Sequence, residues 1–136
     1  MILLDTHVLI WTMEEDHRLG RKARSTIDDE TGASGILVSA ITPWEVALLV
    51  AKGRLTLGRE VGEWIKRALS AGVRLAALEP EIAIEAVKLP GGLHRDPADR
   101  FIVATARHRG CLLLTADRAI LAYAEQGHVS VLDAAL

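Results

Sequence analysis

Four carboxylates in this sequence stand where a protein can do chemistry with them. Asp5 is the first residue after the apolar run Ile2 to Leu4, and Asp117 comes just past the apolar run Cys111 to Leu114. Glu45 lies in the first turn of a helix that opens at Pro43, and Asp99 in the first turn of another that opens at Pro97. A donor set of this kind, with neither Cys nor His forced into it, suits a hard divalent cation such as Mg²⁺ or Mn²⁺ rather than zinc. Two carboxylates about 4 Å apart repel by roughly 4 kcal/mol at an effective dielectric of 20, so four in one pocket require a compensating ion. Other groups carry less. Thr115 and Thr6 each stand close to an acid and could orient it, or merely cap a helix. Asp96 reads as a helix cap more than a ligand, His94 as a solvated loop histidine, and Trp44 as core rather than a platform for a base. Arg100, Arg107, Arg109 and Arg118 are candidate phosphate contacts, while Arg18, Arg21, Lys22 and Arg24 read as a solvated face.

The elements that would position these acids are legible around residues 96 to 117. Asp96 followed by Pro97 is an N-cap with proline at the first helical position, where its missing N–H is no loss. Ile102, Val103 and Ala106 recur at helical spacing, and Gly110 is a natural residue to end the helix. The helix over 97–109 is about 20 Å long, and a strand over 111–115 climbs back about 17 Å. Those lengths nearly cancel, so Asp99 and Asp117 return to one edge of the domain.

The rest of the chain repeats the pattern. A strand is expected over 2–4, a helix from the Asp5-Thr6 cap through Trp11, a polar connection over 14–18 and a helix over 19–30. A loop over 31–35 leads to a strand over 36–38. Thr42-Pro43-Trp44-Glu45 matches a capping box, with Glu45 as the acid at its third helical position, and the helix behind it to Ala51 is apolar nearly all round. It should therefore be covered on more than one side. Further helices over 61–69, 80–88 and 118–126 alternate with strands over 73–78 and 129–132. The fold class is α/β: a mostly parallel central sheet flanked by helices on both faces, in one domain over 1–136. Ligands in such open sheets bind outside the carboxyl ends of the strands, which is where the four acids fall.

Composition sets the outer limits. One hundred and thirty-six residues, half of them hydrophobic, make one domain with a sizeable core and hint at a surface buried against a partner. A net charge of −2 offers no global argument for nucleic acid, although most of the basic residues are Arg, the better fork for phosphate. The single cysteine, Cys111, builds no disulfide framework and suits a reducing cytoplasm. The opening MILLD leaves no room for a secretory signal, and no apolar run reaches the roughly 20 residues that span a bilayer.

Capping alone remains a competing account of the acids. Each sits at a helix N-terminus, where a carboxylate gains about 0.5–2 kcal/mol from capping and the helix dipole, and in α/β units all such helices start at one end of the sheet. That reading makes the chain a non-enzymatic interaction module. A Mg²⁺-dependent phosphatase or phospho-acceptor domain also gathers acids here. The phosphatase wants a second Asp two residues after the first, where this chain has His7; the receiver wants a late lysine, and the last one is Lys88.

LLDTHVLIW, SAITPWEVALLVAKGRL, HRDPADRFIVATA and LLLTAD, in this order and spacing, resemble the PIN-domain family over essentially the whole chain. The nearest branch is VapC, the toxin ribonucleases of toxin–antitoxin pairs. The resemblance implies a helix–sheet–helix sandwich and a Mg²⁺- or Mn²⁺-dependent endoribonuclease that hydrolyses RNA phosphodiesters with a metal-activated water. It carries the family's four acids onto Asp5, Glu45, Asp99 and Asp117, with Thr115 as a helper and Thr6 and Asp96 as further auxiliaries. DPADR offers both Asp96 and Asp99 as the third acid; FIVATA aligns with the family's helix and favours Asp99. The resemblance also implies a VapB-like antitoxin, a homodimer and no membrane association, with the 43–51 helix and the second helix as candidate surfaces. A housekeeping RNA-processing role is the alternative within the family.

Overall fold

The computed structural model describes residues 1–33 and 35–136. Among the described residues, the chain runs β1 (Ile2–Leu4), α1 (Thr6–Met13), α2 (Arg21–Thr31), β2 (Ile36–Ser39), α3 (Thr42–Ala51), α4 (Val61–Ser70), β3 (Val73–Ala76), α5 (Pro80–Lys88), α6 (Pro97–Arg109), β4 (Leu112–Thr115), α7 (Arg118–Ala124) and β5 (Val131–Asp133). Every strand pairing is parallel and the order across the sheet is β3-β2-β1-β4-β5. The α/β reading therefore holds, and "mostly parallel" becomes wholly parallel. None of these helices is long and apolar enough to cross a membrane.

Alternation along β1 explains the three layers. Ile2 and Leu4 point into one core with Leu9 of α1, Ala23 and Ile27 of α2, Val46 of α3 and Trp64 of α4. Leu3 points the other way, into a core with Ile82 of α5, Ile102 and Val103 of α6 and Ile120 of α7. Side chains alternate faces along a strand, so a fully apolar β1 must be covered on both sides. Each fully buried Ile, Leu or Val contributes about 1.5–3 kcal/mol. That is why strands of three or four residues suffice.

The strand order places a switch point between β1 and β4. From β1 the chain builds outward through β2 to β3, then returns across the sheet to lay β4 on the other side of β1. The helices following these two neighbours leave on opposite faces of the sheet, and a crevice opens at the strands' carboxyl ends.

Several local expectations shift by a turn. Helix α1 continues two residues past Trp11, and α2 begins at Arg21 behind the cap Gly20, so Leu19 is a buried residue ahead of the helix. Helix α2 includes Thr31, so only part of the 31–35 segment is loop; Ser34 within it lies outside the described residues. Strand β3 stops at Ala76, β4 starts at Leu112, α7 ends at Ala124 and β5 pairs only from Val131. Apolar residues outside the pairing, such as Leu78 and Val129, still pack on the core and read like strand in the sequence. Helix α6 occupies the expected 97–109, and Gly110 ends it at φ +63°, a conformation that glycine adopts without strain.

Helix α3 departs most from expectation. Only Thr42 and Val46 are buried in it, and Trp44 is 53% exposed rather than core. The capping box does not form either: Ile41 is the N-cap and makes no side-chain capping bond.

Candidate metal-binding active site

Asp5 caps α1 and is nonetheless buried, at 5% exposure. One carboxylate oxygen accepts from the Thr6 N–H at 2.8 Å, and the other accepts from Thr115 Oγ1 at 2.6 Å. The Thr115 hydroxyl in turn accepts from the Asp117 N–H at 3.1 Å, which ties the end of β4 to the end of β1. Asp117 caps α7, its Oδ1 accepting from Ile120 N–H at 3.0 Å. Thr115 is thus a helper of Asp5, not a cap for the next helix.

Glu45 turns away from its own helix. Its Oε1 accepts from Thr6 Oγ1 at 2.5 Å, and Thr6 Oγ1 lies 3.0 Å from Thr42 Oγ1. With the Thr6 proton committed to Glu45, Thr42 is the donor in the second bond. A hydroxyl chain from α3 through α1 therefore holds the carboxylate over the crevice. Asp96 does what its position suggests, capping α6 through the Ala98 N–H at 3.0 Å.

Asp99, in the first turn of α6, is buried at 8% exposure, and its Oδ2 lies 3.1 Å from His94 Nε2. His94 is a loop residue as expected, but half-buried and in contact with Asp99 rather than freely solvated. His94, Asp99 and Asp117 each offer a donor atom, and these atoms lie within 4.8 Å of one another. Only the spacing to Asp99, five residues on, hinted at this in the sequence, and a loop carries no periodicity to make that spacing speak.

Asp5, Glu45, Asp99 and Asp117 line one cleft of about 260 Å³, together with Asp96, His7, Trp11 and Ala116. No lysine or arginine is among these residues. Burial pushes Asp99 up to about 8, with Asp5, Asp96, Asp117 and Glu45 adding repulsion. Burial likewise raises Asp5 and Glu45, against the opposing bonds from Thr115 and Thr6. Acids packed this way, with no lysine or arginine lining their cleft, offer an all-oxygen carboxylate set that fits a divalent cation. Thr115→Val, which keeps the shape and removes the donor, should cost about 1–3 kcal/mol. Urea unfolding at neutral pH checks this, and an unchanged midpoint would show that the Asp5 bond contributes nothing.

The arginines mostly serve the fold. Arg100 donates to four main-chain carbonyls, Arg107 to Glu85 and the His128 carbonyl, and Arg109 to Glu79. Arg118, the next residue after Asp117, is exposed. Arg18, Arg21, Lys22 and Arg24 are all exposed, as expected of a solvated face, and within it Arg18 pairs with Asp16 and stacks over Trp11.

A family model for the PIN domain matches residues 2–126. The chain belongs to the PIN-domain family. This PIN domain is 36% identical over 130 residues to Ribonuclease VapC22 of Mycobacterium tuberculosis (strain ATCC 25618 / H37Rv), covering 96% of this chain and 97% of that one. Its fold is shared with VapBC2 from Rickettsia felis, solved bound to a DNA fragment from their promoter, at TM-score 0.72 and 14% identity over 97% of this chain and 98% of that one. FitAcB from Neisseria gonorrhoeae superposes at TM-score 0.65 and 24% identity, over 98% and 97% of the two chains. The three-layer arrangement found here is thus that of the PIN fold.

Proposed function

We propose that this PIN domain is a divalent-metal-dependent endoribonuclease and the toxin of a toxin–antitoxin pair. The observation that carries the reading is the set of four acids lining one cleft at the β1/β4 switch point, Asp5 and Asp99 buried and Glu45 and Asp117 half-buried, with no lysine or arginine among the lining residues. The likeness to a VapC ribonuclease supports RNA as the substrate.

Asp99 and Asp117, with Asp5 and Glu45, would hold Mg²⁺ or Mn²⁺. Such an ion supplies an activated water and stabilises charge on a phosphodiester during in-line displacement. The protein's own contributions are positional. Thr115 and the Thr6 N–H favour the ionised form of Asp5, and Thr6 does the same for Glu45. Exposed Arg118 supplies a cation for a phosphate beside the cleft, and exposed His7 sits among its lining residues. Single-stranded or looped RNA is the form whose backbone can enter such a crevice.

A small VapB-like antitoxin is the proposed partner, supported by the toxin–antitoxin complexes among the structural relatives. Trp44, a large apolar side chain exposed on α3, supports a homodimer or an antitoxin contact. The test is RNA cleavage by the purified chain with Mg²⁺, with Mn²⁺ and with EDTA. Cleavage that needs either ion and stops in EDTA is expected; no cleavage, or cleavage indifferent to EDTA, would overturn the reading.

A further inference from the structure

His94 lies in the segment between α5 and α6, and it is fixed from two directions. Arg100 of α6 holds its main chain: Nη1 donates to the carbonyls of Leu93 at 2.9 Å and His94 at 3.2 Å. The same guanidinium anchors this segment to α5 through Nε to Ala86 O at 2.7 Å and Nη2 to Val87 O at 3.2 Å. The ring is fixed separately, because the Asp96 backbone N–H donates to His94 Nδ1 at 3.2 Å. A backbone N–H can only donate, so Nδ1 presents a lone pair and the ring proton sits on Nε2. Nε2 lies 3.1 Å from Asp99 Oδ2, within ion-pair distance. Nε2 therefore has no lone pair to give a cation, although it stands with oxygens of Asp99 and Asp117 in one group.

We propose that His94 is a positioning residue for the cation site: its Nε2–H clamps Asp99 Oδ2 and leaves the other carboxylate oxygen for the ion. This rests on the metal-dependent nuclease reading and adds to it a residue outside the four acids. Arg100 acts one step further back. It spends its donors on the segment that carries the histidine, not on phosphate, and so sets where the imidazole stands relative to Asp99. Outer groups that orient a ligand in this way typically contribute about 10–100-fold to metal affinity.

The experiment is a Mn²⁺ titration of the full chain followed by electron paramagnetic resonance, on the unaltered protein, His94→Ala and His94→Gln. Glutamine keeps an N–H donor at a similar reach, so it separates loss of the clamp from loss of packing. His94→Ala should bind Mn²⁺ about 10–100-fold more weakly, His94→Gln should recover most of that, and the pulsed spectrum should show no imidazole nitrogen coupled to the ion. In RNA cleavage at saturating Mn²⁺, His94→Ala should lower kcat and leave KM unchanged. Unaltered Mn²⁺ affinity in His94→Ala, a glutamine variant as weak as the alanine one, or a coupled ring nitrogen would each overturn the clamp. The failures are distinguishable. If the unaltered protein binds Mn²⁺ and cuts RNA while His94→Ala behaves identically, only the role of His94 falls; if it binds Mn²⁺ without cutting RNA, the nuclease reading falls and the affinity effect still decides the clamp. No Mn²⁺ binding at all would sink both.

Discussion

Asp99→Asn is expected to reduce metal-dependent RNA cleavage by at least about 10³-fold, the several kcal/mol that a catalytic ion supplies. In the metal-free protein at about pH 8 the same change should raise the melting temperature. The two effects have one cause. Asp99 is buried beside four other acids, so its ionised form is costly without a cation, and asparagine removes the charge while keeping the shape. Each unit of a carboxyl's upward shift corresponds to about 1.4 kcal/mol, so a rise of about 5 °C or more is expected for a domain of this size. If Asp99 were only a first-turn carboxylate favoured by the helix dipole, the substitution would lower stability by about 0.3–1 kcal/mol. The sign of the change in a thermal melt separates the accounts. Asp99 is a cleaner probe than Asp5, whose two oxygens already accept from Thr6 and Thr115.

The second large effect is a pH dependence that a divalent ion should erase. The Asp99 carboxyl titrates near 3.8 in an unfolded chain and at about 8 in the folded one. Between those values the folded state holds a proton that the unfolded state has released. Linkage then makes stability fall as pH rises from about 4 to about 8. Asp5 and Glu45, raised by the same burial, push in the same direction. Metal-free protein should therefore melt at a higher temperature at about pH 5 than at about pH 8. Saturating Mg²⁺ or Mn²⁺ should restore stability at the higher pH, by about 2.7 kcal/mol at a hundred times the dissociation constant. The ion should do little at the lower pH, where protons compete for the same oxygens. In Asp99→Asn the part of the slope due to this residue should vanish. Melts of the unaltered protein and Asp99→Asn across pH, with EDTA and with the ion, check all four points. A metal-free stability that climbs between pH 5 and 8, or one that no ion alters, would mean that the acids are not a cation site.

Read along the chain, the sequence contained the strand–helix alternation, the parallel sheet, the extent of α6 and the return of Asp99 and Asp117 to one edge. These rest on local signals: proline at the first helical position, glycine at the last, and apolar runs whose lengths separate strand from helix. Because every strand in such a sheet points the same way, Asp5, Glu45, Asp99 and Asp117 could be assigned to one end before any contact was known. The ends of α2, α7 and β5 were less legible, since residues such as Leu19 and Val129 are apolar for packing and not for pairing.

What periodicity cannot carry is the identity of a partner far away in the chain. Thr115 meets Asp5 across 110 residues and Thr6 meets Glu45 across 39, so neither bond leaves a mark in a local window. The same holds for Arg100, whose type suggested phosphate and whose surroundings turned it to four carbonyls of α5 and the segment before α6. Trp44 looked like core because a tryptophan in a first helical turn is more often buried, yet only the packing of α1 and α4 against α3 decides which faces of that helix are covered. The sequence by itself determined which acids share an edge, because chain direction and element length are local properties. Only the tertiary structure decided which hydroxyl or ring nitrogen orients each of them, because a hydrogen bond depends on positions to within a few tenths of an ångström, and those are set by packing over the whole domain.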